Sequence, residues 1–219
     1  MSMLKLGLLL FLCLVLSPVE AARAERPAEI VIDDFEDGLS PHWEEKSFHG
    51  HTEYQVVAEG DGHCLRAVSR AAASGLIYRK SYSLHDYPYL SWRWRVDNIL
   101  TRGDARRKDG DDYAARVYVV FPHWLPFRTR SINYIWANRL ERGEFVPNPF
   151  FSRAVMLAVQ SGEVNVGKWQ SEKRNVLEDY RMIFGEEPPK VGALAIMTDT
   201  DNTLEEASAC YDDLRISAQ

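Results

Sequence analysis

Near the end of the 219-residue chain, a run of small apolar residues opens into six consecutive residues with side-chain oxygens, TDTDNT at positions 198–203. Carboxylate, amide and hydroxyl oxygens bind hydroxyl-rich ligands and hard cations. The same residue types also cap turns through local hydrogen bonds. The stretch therefore indicates either a binding site or a well-capped turn, and other residues must decide between the two.

Two strand-like segments carry arginine beside aromatic residues. In LSWRWRV the pleat places the tryptophans on one side and Arg93 and Arg95 on the other, and in AARVYVVF it separates the Val and Phe side chains from Arg116 and Tyr118. If the apolar sets fill the core, these four polar residues line the opposite face. Guanidinium groups bind carboxylates and sugar hydroxyls. The alternative is that the arginines are solvated or paired with nearby aspartates.

Further polar residues gather where the predicted strands begin and end. One pair of aspartates precedes YAARVYVVF, a second pair with an asparagine follows ALAIMT, and another asparagine lies in NYIWAN. We expect these six to converge at one end of the fold as the polar rim of a ligand site: Asp111, Asp112, Asn133, Asp199, Asp201 and Asn202.

A second acidic group lies near the two ends of the chain. Asp34 and Glu36 follow the first predicted strand, and Asp213 lies in the last one. If the terminal strands pair, these carboxylates meet, and carboxylate oxygens in loops are the ligands that calcium uses. Calcium is therefore the cofactor that we expect at this place. The alternative is that the aspartates only cap turns.

The apolar residues alternate with period two along most of the chain, which indicates β-strands. Eleven segments read as strands, and turn residues separate nearly all of them. Only NVLEDYRMIFGEEPP reads as a helix, near residues 176–185, with Gly185 as its cap and two prolines after it. The pattern predicts an all-β fold, a two-sheet antiparallel β-sandwich of jelly-roll (galactose-binding-like) type.

The first 24 residues have the pattern of a signal peptide. Lys5 precedes an apolar run at 6–16, and small residues follow, with cleavage expected after Ala24 or Ala21. An uncleaved membrane anchor is the alternative, although the run is short for a span. We expect residues 25–219 to form a single exported domain, periplasmic or secreted, without a membrane span. The net charge of −6 argues against nucleic acid as a partner.

Two cysteines lie beyond the predicted signal peptide, Cys64 and Cys210. In an oxidising compartment they can form a disulfide that closes a long loop and stabilises the fold. The alternative is two separately buried thiols. The sequence does not choose between these states.

Signatures of the commonest enzyme classes are absent from the sequence. There is no G-x-S-x-G elbow, no H-E-x-x-H and no glycine-rich phosphate loop. A lyase acting on a uronate polymer could use Arg93, Arg116, Tyr118 and His123. A glycosidase needs two carboxylates about 5–10 Å apart, and the sequence does not select a pair among Asp111, Asp112, Glu178, Asp179, Asp199 and Asp201.

Several long motifs carry a family resemblance. WRWRV, DGDDYAARVYVVF, INYIWAN, RNVLEDYRMIFGEEPP, AIMTDTDNT and YDDLRI, in this order, resemble the exported bacterial family of domain of unknown function 3047. The match covers nearly all of the chain after the signal peptide and implies little about activity. The opening VIDDFEDGLSPHW and the closing CYDDLRI are similar to the ends of jelly-roll carbohydrate-binding modules, whose terminal strands often share a structural calcium ion.

Two functions therefore remain as interpretations of the sequence. The favoured one is a non-catalytic exported domain that binds a glycan or a cell-envelope component through the Arg/Tyr face and the Asp/Asn loops. The alternative is a polysaccharide hydrolase or lyase on the same scaffold. The position of TDTDNT relative to the other polar residues distinguishes a site from a simple turn.

Overall fold

The computed structural model describes residues 27–219 of the chain. The predicted signal peptide, residues 1–24, lies outside the described residues. Within residues 27–219, no helix has both the length and the hydropathy that crossing a bilayer requires.

The described residues form thirteen strands and one α-helix. The strands are β1 (Glu29–Asp33), β2 (Trp43–His49), β3 (Glu53–Glu59), β4 (Gly62–Arg70), β5 (Ala73–Tyr82), β6 (Tyr89–Val96), β7 (Tyr113–Phe121), β8 (Arg130–Ala137), β9 (Phe145–Pro147), β10 (Ala154–Ser161), β11 (Gln170–Asn175), β12 (Val191–Asp199) and β13 (Glu206–Ser217). The helix α1 spans Val176–Phe184, and short 3-10 turns span Lys108–Gly110 and Pro126–Arg128. The prediction of a mostly β fold with one short helix is confirmed, and the sequence pattern missed only β2 and β9.

The strands form two sheets that enclose one apolar core. The six-stranded sheet has the order β11-β6-β13-β4-β3, with β1 also paired to β13, and the seven-stranded sheet has the order β2-β5-β12-β7-β8-β10-β9. The predicted two-sheet sandwich is therefore confirmed. Its strand pairs within residues 27–219 are antiparallel except for β8 and β10, which run parallel. The long connection between these two strands allows the chain to return to the same end of the sheet.

Aromatic side chains fill the space between the sheets. The rings of Trp92 and Trp94 on β6 meet edge to face at 5.3 Å. They contact rings from β8 in the other sheet, because Trp92 lies 5.3 Å from Tyr134 and Trp94 lies 5.9 Å from Trp136. All four side chains are buried. Large rings that bury this much surface hold the two sheets together at the centre of the sandwich.

The helix α1 begins and ends where the sequence predicts. The Asn175 side chain accepts a hydrogen bond from the backbone N–H of Glu178 at 3.2 Å, which caps the first turn. Gly185 has a left-handed φ of 69° and donates its backbone N–H to the carbonyl of Arg181. A residue without Cβ adopts this conformation at little cost, so Gly185 ends the helix.

The prediction that one face carries the four Arg/Tyr residues is wrong. The predicted inward and outward directions of the side chains within each strand are correct. Arg93 and Arg95 lie on β6 and point outward from the six-stranded sheet, whereas Arg116 and Tyr118 lie on β7 and point outward from the seven-stranded sheet. The outer faces of a sandwich point in opposite directions. Alternation shows which side of a strand a residue occupies, but not which sheet the strand joins.

Candidate ligand-binding groove

A groove of about 390 Å³ crosses the outer face of the seven-stranded sheet. We call it the polar groove. It contains seven of the predicted site residues: Asp111, Arg116, Tyr118, Asn133, Asp199, Asp201 and Asn202. Asp112, the eighth, binds the loop beside it. The polar residues that the sequence analysis placed at one end of the fold therefore converge, while Arg93 and Arg95 lie on the opposite sheet.

Strand register places these side chains next to one another. Tyr118 on β7 pairs with Asn133 on β8 and with Ala195 on β12, and the next outward residue of β7 is Arg116. Asp199, the last residue of β12, lies opposite Tyr113 at the start of β7. The groove is therefore built on three adjacent central strands, and rigid strands hold side chains more precisely than loops do.

The TDTDNT stretch serves both of the purposes that the sequence left open. Thr198 donates its hydroxyl to the carbonyl of Ala114 at 2.8 Å, and the Thr200 hydroxyl lies 2.8 Å from that of Ser69. These buried threonines fix the end of β12. The intervening Asp199 and the following Asp201 point into the polar groove. Alternation along the chain thus separates the structural residues from the residues of the site.

Asp112 organises the loop that closes this end of the groove. One carboxylate oxygen accepts the backbone N–H of Asn202 at 3.3 Å and its side-chain amide at 3.0 Å. The other oxygen accepts the backbone N–H of Thr203 at 2.5 Å. Asp112 is fully buried. It positions Asn202, whose side chain lines the groove.

A buried ion pair forms the floor of the polar groove. Arg116 and Asp199 are in direct contact, and their side chains are 7% and 2% exposed. Burial raises the pKa of Asp199 well above its usual range, and the charge of Arg116 opposes this effect. Burial also raises the pKa of Asp111 and of Asp201. The guanidinium lies over the ring of Tyr118, with 5.4 Å between the Arg116 Cζ and the ring centroid.

Several buried polar atoms of the groove have no hydrogen-bond partner within the described part of the protein. They are Arg116 Nε, Asn133 Oδ1 and Asp199 Oδ1. Seven such side-chain atoms occur in residues 27–219, so three of the seven belong to this one groove. Buried polar groups are normally paired. This concentration of unpaired donors and acceptors indicates a place where a ligand or ordered water completes the hydrogen bonding.

Two exposed phenylalanines flank the polar groove. Phe48 on β2 is 62% exposed and Phe150 is 58% exposed, and both line the groove. Neither residue was predicted from the sequence. Phe150 lies in a turn that begins at Asn148. The side-chain Oδ1 of Asn148 accepts a hydrogen bond from the backbone N–H of Phe150 at 2.9 Å. Asn148 also donates to Asp111 at 2.6 Å, so the turn that presents the ring is tied to the polar residues of the groove.

A second depression continues the groove across the same sheet. It measures about 360 Å³ and shares Phe48, Tyr118 and Met197 with the polar groove. Its floor is formed by small residues, among them Gly75 and Ala195. We call this part the apolar extension. The two depressions form one trough. Charged and amide side chains line the polar groove, whereas small residues form the floor of the apolar extension.

The opposite sheet carries a separate cleft of about 560 Å³. Arg93 lies in this cleft with its guanidinium over the ring of Trp169, at 4.9 Å from the centroid. Arg95 is ion-paired with Glu59 and lies 3.4 Å from Asp97. These two arginines are therefore engaged in surface pairs, as the alternative interpretation of the sequence stated.

The same cleft brings together the three residues for which calcium was predicted. Asp34, Glu36 and Asp213 all line it, since β1 pairs with β13. Each carboxylate contacts a basic group: Arg215 lies 3.0 Å from Asp213 and 4.0 Å from Asp34, and His63 lies 3.0 Å from Glu36. Basic side chains thus occupy positions that a cation would need. Calcium binding at these residues stays a prediction.

Asp212 in this cleft gives a testable pH dependence. Burial, followed by the charge of Asp213, raises its pKa from 3.8 to about 6. The folded state therefore holds the proton more tightly than the unfolded state, so this stabilisation is present below about pH 4 and is lost as the pH rises through 6. We expect Asp212→Asn, which stays neutral, to gain about 1–2 kcal/mol relative to the wild type between pH 4 and 7, allowing for partial solvation. Urea unfolding across this range measures the difference, and a constant difference would contradict the assignment.

Cys64 and Cys210 are buried free thiols in this structure, and a disulfide between them stays a prediction. Cys210 lies opposite Arg66 across the β13–β4 ladder, so Cys64 is its diagonal neighbour. Diagonal residues have Cα atoms about 7–8 Å apart, and disulfides usually need a shorter separation. The two sulfur atoms nevertheless lie within 4.8 Å of each other. The hydrogen bond from Cys64 and the charge of Arg95 lower the pKa of Cys210.

The four residues proposed for a lyase do not lie in one site. Arg116 and Tyr118 are neighbours in the polar groove, but Arg93 lies on the other sheet. His123 lines a different cleft, beside Arg130. The two helix carboxylates considered for a hydrolase, at positions 178 and 179, lie on α1 and do not line the groove. The four-residue lyase set is therefore wrong.

Comparison with known proteins gives a family and a set of similar folds. A family model described as protein of unknown function, DUF3047, matches residues 41–215, and no curated protein matches the sequence. The family 11 carbohydrate-binding module of the cellulosomal cellulase Lic26A-Cel5E of Clostridium thermocellum is 12% identical, with a TM-score of 0.46 over 89% of this chain and 97% of that one. The family 30 module of the cellulosomal cellulase Cel9D-Cel44B of Clostridium thermocellum is 13% identical, with a TM-score of 0.44 over 81% and 92%.

Proposed function

The chain belongs to the DUF3047 family, and for this member we propose that the trough on the seven-stranded sheet binds a glycan. The observation that carries the proposal is the composition of the polar groove. Fixed donors and acceptors form its floor, and exposed Phe48 and Phe150 stand at its sides. A sugar presents hydroxyl groups around its edge and apolar C–H faces above and below. The groove offers partners for both.

The polar groups are suited to hydroxyls because they include both donors and acceptors. Arg116 and Asn202 supply N–H groups, while Asn133 and the aspartates supply oxygens. Three of these polar atoms have no partner within residues 27–219. Leaving such a group unpaired in a buried place costs free energy. A ligand with several hydroxyls removes that cost, and an apolar ligand does not.

The trough is also longer than its polar part, which favours an oligosaccharide over a single sugar. The apolar extension continues from Tyr118 and Met197 toward β5. Gly75 has no side chain, and a Cβ there would lie 3.1 Å from the carbonyl of Ile196. Together with alanines on β12, it keeps the floor low. A chain of sugar rings can therefore lie along the sheet.

We propose binding without turnover, because most groove carboxylates are held by other groups. Asp111 accepts hydrogen bonds from Tyr113 and Asn148, and Asp199 is ion-paired with Arg116. A glycosidase needs one carboxylic acid and one carboxylate placed on either side of the scissile bond. The signal peptide pattern supports a periplasmic or secreted location, where glycans and other envelope components are the available polymers.

The experiment is affinity electrophoresis of the purified protein in gels that contain neutral or acidic polysaccharides, followed by calorimetry with each polymer that retards it. We expect at least one polymer to bind. The double variant Phe48→Ala/Phe150→Ala should then bind roughly tenfold more weakly or worse, because stacking on two rings is lost. Trp124→Ala removes an aromatic ring that is 82% exposed outside the groove, and it should bind like the wild type.

Two outcomes would count against the proposal. If no polysaccharide binds, or if Trp124→Ala and the double variant lose affinity equally, the groove is not a glycan site. Release of reducing ends from a bound polymer, lost in a folded Asp201→Asn variant, would replace binding by the hydrolase or lyase alternative.

A further inference from the structure

Four carboxylates and one guanidinium lie together at the closed end of the polar groove. Carboxylate oxygens of Asp112, Asp199 and Asp201 lie within 4.8 Å of one another, and Asp111 lines the same groove. Arg116 is ion-paired with Asp199. Counting this arginine against the four acids leaves a formal excess of three negative charges. Like charges this close repel strongly where water is largely excluded, so the cluster favours additional positive charge.

A second, independent observation points to a bound ion. Asp199 is only 1% exposed. One of its carboxylate oxygens contacts Arg116, whereas the other, Oδ1, has no hydrogen-bond partner within residues 27–219. A buried anionic oxygen without a donor is unfavourable. A metal ion would supply the missing partner.

The remaining two acids can coordinate an ion while keeping their present contacts. Asp112 accepts hydrogen bonds from Asn202 and Thr203, and Asp201 accepts one from the Asn202 amide. A carboxylate has about four acceptor positions on its two oxygens. Hydrogen bonds from the loop therefore fix the orientation of the acids and leave acceptor positions free.

We propose that Asp112, Asp199 and Asp201 bind one hard divalent cation, and that Ca²⁺ is the ion that fits best. Ca²⁺ accepts six to eight oxygen ligands at flexible geometry, whereas Mg²⁺ needs a near-ideal octahedron. Three carboxylates from a strand end and two loops suit the less demanding ion. Asp201 is partly exposed toward the groove, so water or ligand hydroxyls can complete the coordination. The site does not depend on the groove ligand being a glycan.

This site differs from the calcium site expected at the chain ends. There, Arg215 and His63 contact the carboxylates, and Arg93 lies 3.5 Å from Asp213.

At the groove, Arg116 is ion-paired with Asp199, while Asp112 and Asp201 have no ion pair within residues 27–219 and accept hydrogen bonds from the neighbouring loop. If the ion binds in the groove, a substitution there weakens its binding, whereas a substitution at the chain ends does not. Asp34→Asn is therefore a matched control for Asp201→Asn.

The test is calorimetry with CaCl₂ and luminescence with Tb³⁺ on protein freed of metal by a chelator, without any glycan. We expect saturable binding of one ion with a Kd of about 1 mM or tighter. Asp201→Asn should weaken binding at least tenfold, and Asp34→Asn should leave it unchanged. Circular dichroism confirms folding of each variant.

Tb³⁺ emission excited through nearby phenols locates the ion independently of the acid variants. Tyr118→Leu removes a phenol beside the cluster, so at saturating Tb³⁺ it should lower the sensitised emission per bound ion. No binding at about 10 mM Ca²⁺, well above the weakest protein sites, would overturn the proposal. Binding that Asp34→Asn abolishes and Asp201→Asn retains would overturn it as well.

Discussion

Replacing Arg116 by Leu is expected to lower the free energy of unfolding by about 3–5 kcal/mol. The side chain is 7% exposed, and it is ion-paired with Asp199, which is 2% exposed. Without the guanidinium, Asp199 must either keep an unpaired buried charge or take up a proton, and both cost stability. Urea unfolding at pH 7 in the presence of a chelator measures the loss without any contribution from a bound cation.

An exposed pair of the same chemistry is the control. Arg107 and Asp109 form an ion pair whose side chains are 64% and 68% exposed. Surface pairs of this kind contribute about 0–1 kcal/mol, so Arg107→Leu should be nearly neutral. The double variant Arg116→Leu/Asp199→Leu should recover part of the loss, since no charge is left unpaired. Equal stability of Arg116→Leu and Arg107→Leu would show that the buried pair does not stabilise the fold.

The sequence was sufficient to predict the strands and the direction of their side chains. In β6 and β7 the alternation of apolar and polar residues places the tryptophans and valines inward, as the structure does. Period-two alternation is a local property, because each side chain contacts the layer directly above or below its own strand. It was therefore reliable wherever one face of the strand is buried.

The assignment of strands to sheets could not be predicted in the same way. Arg93 and Arg116 have similar local surroundings, yet they lie on opposite outer faces, because β6 joins β13 and β7 joins β12. Pairing between distant segments depends on the whole chain. The same limit applies to Phe48 and Phe150, which are far apart in sequence and line one groove only because β2 and the loop after β9 both reach it.

The convergence of the aspartates was predictable because they follow a rule of position. Residues at the ends of neighbouring strands meet at one edge of a sheet, and Asp111, Asp112 and Asp199 occupy such ends. The unpaired Asp199 oxygen and the low floor at Gly75 were not predictable, since both depend on atomic contacts across strands. Sequence thus located the polar groove, and the structure revealed its aromatic sides and its apolar extension.

The other large effect is expected from filling the trough. Ala195 lies on the outward side of β12, in register with Tyr118, and lines the apolar extension. Ala195→Trp should project an indole into this space without entering the core, where the neighbouring Leu194 and Ile196 point. We expect the affinity for the polysaccharide identified by electrophoresis to fall on the order of 100-fold, about 2.7 kcal/mol, while the midpoint of thermal unfolding hardly changes.

The matched control is Ser171→Trp, which places the same ring at an exposed position on the six-stranded sheet, opposite Arg93. It should bind the polysaccharide like the wild type. Because the indole at position 195 would block the apolar extension and leave the polar groove open, short oligosaccharides should lose much less affinity than the long polymer. Calorimetry with a length series of oligosaccharides separates the two parts of the trough. If Ala195→Trp binds the long polymer as well as Ser171→Trp does, the ligand does not lie along this sheet.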